Sequence, residues 1–337
     1  MFVRPQILLT LAIAGLWSGC STIQAVGYRE VPAAVPVQTF PNIVLLEADD
    51  ADEAFVQLRV FERLQQSASS VEVLSIEGLE QRRREGRLRY PGVVVSSRLR
   101  MDEGFEDRWG QIWPTPPRAL NTPSHARRGR RDPWPVVEGS LQISVVDIRS
   151  GQRFQRHQVS ARDEGGDFAM MRRTVLERLA ERLGDDMSSR HMAVPVRLER
   201  VPVPGNAAAL QSAQEGRWIE ARSRWLQLNR ESSVRAAPPE YRASVLYNLA
   251  MATRFAAPSD QASLLIAEQA LAQALELVPV RRYLEAWEQV QEHRMAIELS
   301  QRQRETRERN FELAFPSETS RAPSGRRDAI ESTPETP

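Results

Sequence analysis

The sequence predicts an α+β chain: a mixed α/β sheet domain over residues 42–204, then an all-α helical domain over residues 205–314. Three observations predict it. Short β-branched runs alternate with helical stripes between Asn42 and Val203. Two alternating runs within residues 136–163 flank the turn Arg149-Ser150-Gly151-Gln152 and read as a hairpin. From Asn206 onward the pattern changes to helical periods rich in Ala and Leu.

The elements follow in order. "NIVLLE" (42–47) is a buried strand. Residues 49–66 form a helix with acids in its first turn, where the helix dipole favours them, and with Phe55, Leu58, Phe61 and Leu64 as its apolar face. "VEVLSI" (71–76) is a strand, residues 77–86 a short charged helix, and "GVVVSSRLRM" (92–101) a β-branched strand. A long loop, 102–135, precedes the hairpin. Residues 166–187 form a second long helix with the stripe Phe168, Met171, Val175, Leu179 and Leu183, and Gly184 as C-cap. "AVPVRLERVPV" (193–203) closes the domain as an edge strand, because Pro195 and Pro202 exclude a central position.

The 337 residues suit about two domains of roughly 100–200 residues each. The net charge is +1 with 26% charged residues, so no global field draws the chain to nucleic acid. No Lys occurs; all 45 positive side chains are Arg, so each ion pair can be forked.

The N-terminus carries Arg4, then the apolar run Ile7–Trp17, too short to span a bilayer of about 30 Å. It reads as a secretory signal peptide, residues 1–19. Residues 16–20, Leu-Trp-Ser-Gly-Cys, resemble the bacterial lipobox, departing from it at Trp17. The resemblance implies cleavage before Cys20 and acylation, palmitate included, of this single thiol. Ser21 rather than Asp follows, which by the same resemblance directs the chain to the periplasmic face of the outer membrane. Residues 20–41, with Pro32, Pro36 and Pro41, are expected to form an extended tether.

A lipobox, a strand–helix–strand–helix–strand unit, and a hairpin in which Val145, Val146, Asp147, Ser150 and Gly151 match the family's pattern resemble the curli-secretion-channel superfamily. That group includes penicillin-binding-protein activators and exopolysaccharide-export lipoproteins. The resemblance implies a non-catalytic envelope role. Loop 102–135 does not alternate as a transmembrane hairpin does. Its Trp109, Trp113 and Trp134, with Arg127, Arg128, Arg130 and Arg131, suit lipid headgroups or phosphates; the alternative is a solvated insertion.

Within residues 206–233, Gly216, Trp218, Ala221 and Trp225 have the spacing of a tetratricopeptide repeat. Gly216 breaks one helix so that the next folds back, Trp218 fills the gap between the pair, and Ala221 allows close approach. Tyr247 and Asn248 fall in the first helix of a second copy, and Ala267, Leu271 and Ala274 in its second helix. These positions are the expected repeat-packing and partner-binding residues. Residues 281–314 form a capping helix with the stripe Leu284, Trp287, Val290 and Met295, and 315–337 a polar tail.

No phosphate loop, G-x-S-x-G or H-E-x-x-H motif occurs. His125, His157, His191 and His293 lie far apart, and Asp49, Asp50 and Asp52 read as helix-start acids. The expectation is therefore no enzyme, no cofactor, no metal and no nucleic acid. The chain is read as a scaffold or adaptor for an envelope assembly, export or cell-wall machine, with a membrane anchor and a protein partner. The alternative is a ring-forming component of a secretion or polysaccharide-export channel, assembled from copies of this chain.

Overall fold

A computed structural model describes residues 22–66, 69–106, 111–113 and 134–315. Residues 1–19, Cys20, Trp109, the four loop arginines and the tail from Pro316 lie outside the described residues. The chain has a mixed α/β sheet domain in its N-terminal half and a helical region in its C-terminal half. The two compact units are not collinear with the sequence: Val35–Ser188 with the segment from Arg304 forms one, and residues up to Ala34 with Ser189–Gln303 the other.

The sheet unit contains β2 (Asn42–Leu46), α1 (Ala51–Gln65), β3 (Ser70–Leu74), α2 (Ile76–Arg84), β4 (Gly92–Glu106), β5 (Ile112–Trp113), β6 (Trp134–Asp147), β7 (Arg153–Glu164) and α3 (Phe168–Asp186). Strand order is β3-β2-β4-β6-β7, with β5 added to β4. β2 runs parallel to β3 and β4; β4–β6 and β6–β7 are antiparallel. Short parallel β2 and β3 need the crossover helix α1 between them. The long pair β6–β7 is the expected hairpin, with a bulge between Val145 and Val146. Its turn is held by Asp147, whose carboxylate accepts from the N–H groups of Arg149 and Ser150 at 3.0 and 2.5 Å.

The helices α1, α2 and α3 of this unit are capped at their N-termini by side chains. Asp50 accepts from Glu53 N at 2.8 Å to start α1, and Ser75 from Gly78 N at 3.1 Å to start α2. Asp167 accepts from Ala169 N and Met170 N to start α3. One sheet face buries Ile43, Leu45, Val95, Leu141 and Ile143 beneath α1 and α3; the other buries Val44, Val94 and Ile148 with Leu79 of α2. Along β7, the carbonyls of Ser160 and Arg162 accept from the Arg182 and Arg178 guanidinium groups of α3. Those bonds tie α3 to β7.

The expected apolar face of the first helix is corrected. Val56, Val60 and Leu64, with Glu53, are buried on α1, and Phe55 and Phe61 are partly buried against the same core, so of the expected stripe only Leu58 is exposed. Gly184 is not a cap: α3 continues to Asp186 and ends on Met187. A Cβ at Gly184 would lie 2.7 Å from Arg63 Cδ, so the glycine admits the Arg63 side chain, which pairs with Asp185 at 2.6 Å. Loop 102–135 is shorter than expected, because β4 extends to Glu106 and β6 begins at Trp134.

The helical unit also overturns the tether. Thr22–Val31 is a strand, β1, antiparallel to β8 (Arg190–Glu199) in a two-stranded ribbon. Ala25 and Gly27 face inward and Gln24 and Val26 outward, an alternation that small residues hide. Pro195 stands opposite Val26, tolerated because both strands of a ribbon are edges. The expected boundary at 204 is therefore displaced: β8 packs with the helices and not with the sheet.

The helices are α4 (Asn206–Gln214), α5 (Trp218–Arg230), the single turn α6 (Ser232–Arg235), α7 (Pro239–Ala256), α8 (Gln261–Leu277) and α9 (Arg281–Ala314), whose last residues, from Arg304, belong to the sheet unit. Pro239 opens α7, where its missing N–H costs nothing. Asp260 caps α8, accepting from Ser263 N at 3.0 Å. On α9 the buried residues are Tyr283, Ala286, Val290, His293, Ile297 and Ser300; Leu284 and Met295 of the expected stripe are exposed.

Candidate functional site: a basic cavity in the helical unit

The repeat-signature residues lie together in this unit. Gly216 occupies the turn between α4 and α5 at φ 75°, a conformation that suits glycine. Trp218 is buried, its indole N–H donating to Val26 O at 3.1 Å and its ring 5.2 Å from Phe255. Ala221 and Trp225 are fully buried, and Trp225 Nε1 donates to Asn206 Oδ1 at 2.9 Å. Ala267, Leu271 and Ala274 are fully buried on α8. All of these except Gly216, together with Tyr247 and Asn248, are buried, so they pack the unit and present no face to a partner. Of the loop residues, Trp113 is 44% exposed opposite Phe105, and Trp134 is partly buried opposite Glu106.

Tyr247 and Asn248 do more than fill space. The Asn248 amide caps the end of β8 as a further strand would: Glu199 N donates to Asn248 Oδ1, and Asn248 Nδ2 donates to Glu199 O, both at 2.8 Å. The Tyr247 hydroxyl donates to Arg197 O at 2.8 Å. These bonds fix the ribbon on α7 and turn the Glu199 carboxylate inward, where it is 1% exposed. Glu199 accepts from the Tyr283 hydroxyl at 3.0 Å and forms an ion pair with Arg282. The Tyr247 and Tyr283 rings stack at 5.1 Å. Burial first, and Glu199 as well, push both phenols up to about 12.

Two turns beyond Tyr247 on the same helix face stands Arg254, 1% exposed. Its Nε donates to His293 Nδ1 at 3.3 Å, its Nη1 to Gln289 Oε1 at 3.4 Å, and its guanidinium lies 4.9 Å from the Phe255 ring. Among the described residues no carboxylate forms an ion pair with it. Burial, then repulsion from Arg29, lowers Arg254 to about 10 against the opposing pull of Glu292, so it remains charged at neutral pH. Burial, then Arg254 and Arg29, lowers His293 to about 4. The imidazole is therefore neutral, accepts through Nδ1 and carries its proton on Nε2, which finds no partner among the described residues.

A cavity of about 310 Å³ opens between the ribbon, α7 and α9. Arg254 lies on its wall with Arg197 and Arg282; Glu199 and Glu285 are its acids. Both acids are taken, Glu199 by Arg282 and Glu285 by Arg281 at 2.7 Å. None of the residues predicted from sequence motifs marks this site as a charged cavity. Its signal was a single Arg within the apolar helix "SVLYNLAMATRFAA", four residues from Ala250 and seven from Tyr247.

Among the described residues no helix is long and apolar enough to cross a membrane, and no three His, Cys, Asp or Glu side chains group as metal ligands. No protein-family description matches the chain, and no curated protein matches it. Solved structures do match in part. A minor lipoprotein from Acinetobacter baumannii is 10% identical at a TM-score of 0.27, covering 43% of this chain and 90% of that one. The PelC dodecamer from Paraburkholderia phytofirmans is 12% identical at 0.27, covering 50% of this chain and 99% of that one. Lipoprotein GNA1162 from Neisseria meningitidis is 12% identical at 0.21, covering 43% and 98%. This chain is thus similar over about half its length to bacterial lipoproteins and PelC, and its functional reading rests on its own residues.

Proposed function

We propose that the chain is a non-catalytic lipoprotein, acylated at Cys20 and held on the periplasmic face of the outer membrane, where it acts as a scaffold or adaptor for an envelope machine. One observation carries this reading: an apolar run of signal-peptide length ends on Ser18-Gly19-Cys20, and that cysteine is the only one in 337 residues. Two or three acyl chains at about 0.8 kcal/mol per buried CH₂ hold a protein on a bilayer stably. The helix pairs α4–α5 and α7–α8, joined by short turns, support a tetratricopeptide-like reading of the helical array. The test is growth with labelled palmitate followed by membrane fractionation. The wild-type chain takes up label and sediments with outer membrane, and Cys20→Ala loses both properties. An unlabelled, soluble wild-type chain refutes the reading. Size analysis in detergent distinguishes an adaptor, which elutes near its own mass, from a ring-forming component, which elutes as a large homo-oligomer.

A further inference from the structure

A guanidinium with almost no contact with water normally stands against a carboxylate, because an isolated buried charge costs several kcal/mol. Arg254 does not. Its hydrogen-bond acceptors are neutral and long, at 3.3 and 3.4 Å; Arg29 adds charge of the same sign, and Glu292 opposes it without forming an ion pair with Arg254. Arg29 Nε is itself buried and finds no hydrogen-bond partner among the described residues. The two acids on the cavity wall already have arginine partners, so Arg254 and Arg197 are left without an ion pair among the described residues. The cavity beside them reaches the lower end of the 300–1,000 Å³ typical of small-molecule sites. Val194, Val196, Met251 and Ala286 supply apolar wall.

From this charge balance and this space we infer that the cavity binds a small organic oxyanion, its carboxylate or phosphate head against the Arg254 fork and its short body against the apolar wall. A planar guanidinium suits two-point contact with either head. His293, bonded to Arg254 on the side of its Nε, acts as the reporter: a negative charge at the guanidinium offsets the repulsion that keeps the ring neutral. This inference is independent of acylation at Cys20.

The experiment uses the detergent-solubilised full chain in amine buffer. Butyrate, inorganic phosphate and uncharged butyramide are titrated while melting temperature and the His293 imidazole resonances are followed; His293→Gln identifies those resonances. A saturable rise in melting temperature with an upward shift of the His293 titration is expected. Response to butyrate alone assigns a carboxylate head, to phosphate alone a phosphate head, and to both a general oxyanion site. Arg254→Gln weakens the response at least tenfold. If that variant does not fold, Arg197→Gln, an exposed wall residue, weakens it about threefold. A response to butyramide equal to that to butyrate overturns the inference. So does an unmoved His293 signal with no saturable response to either anion.

Discussion

The helical unit should lose stability on mild acidification, and His293 should be the cause. In the unfolded chain this imidazole has its ordinary value of 6.5; in the fold burial and the neighbouring arginines hold it at about 4. The folded state therefore binds the proton more weakly, and protonation favours unfolding. The contribution is fully retained above pH 6.5 and is lost as pH falls from 6.5 toward 4. Each unit is worth about 1.4 kcal/mol, so the full window amounts to about 3 kcal/mol. That is a large part of a typical stability of about 5–15 kcal/mol. Carboxylates held low by their partners, such as Asp260 by Ser263 and Asp147 at the hairpin turn, act in the same direction. Their contribution is lost only as pH falls through values below 3.8, outside this window.

The assay is urea unfolding followed by tryptophan fluorescence, since Trp218 and Trp225 are buried in this unit. Midpoints are measured from pH 7.5 to 4.5 for wild type and for His293→Gln, which keeps an acceptor for Arg254 but does not titrate. Between pH 6.5 and 4.5 the wild type should lose about 2–3 kcal/mol more than the variant. Parallel curves, or a His293 that titrates near 6.5 by NMR, would refute the buried neutral imidazole and the Arg254 contact with it.

Three further outcomes test the packing. Asn248→Leu keeps the volume but leaves Glu199 N–H and C=O bare, and should cost about 2–4 kcal/mol in urea unfolding. Gly27→Ala places a methyl 2.3 Å from the Phe255 ring and should cost about 1–3 kcal/mol; a neutral effect would mean that β1 does not lie on α7. Asp260→Ala removes the cap of α8 and should lower the melting temperature; an unchanged melting temperature would mean that the cap does not form.

The sheet unit was legible because its signals are local. The stripe Met171, Val175, Leu179, Leu183 steps by four and stays on one helix face, and all four are buried. The stripe Phe55, Leu58, Phe61, Leu64 steps by three; at about 100° per residue its ends point to opposite sides, so Leu58 falls away from the core while Phe55 and Phe61 flank the buried face. The observed set Glu53, Val56, Val60, Leu64 closes to within about 20°. On α9 the buried series Tyr283, Ala286, Val290, His293, Ile297, Ser300 alternates steps of three and four, but His and Ser do not register as apolar. β1 escaped because its inward positions are small and its partner β8 is more than 150 residues away, a distance at which pairing leaves no local trace.

The basic cavity escaped for a different reason: it depends on which of two buried bases keeps its proton. Burial lowers both, Arg254 from 12.5 to about 10 and His293 from 6.5 to about 4. At neutral pH the first is still charged and the second is not. A Lys in place of Arg254 starts about two units lower and would lose its charge far more readily under the same burial. The hydrogen bond agrees independently, since His293 Nδ1 can accept from Arg254 Nε only as the neutral ring. The charge therefore stays on the arginine, and among the described residues no carboxylate is paired to it; Glu292 acts on it only through its field.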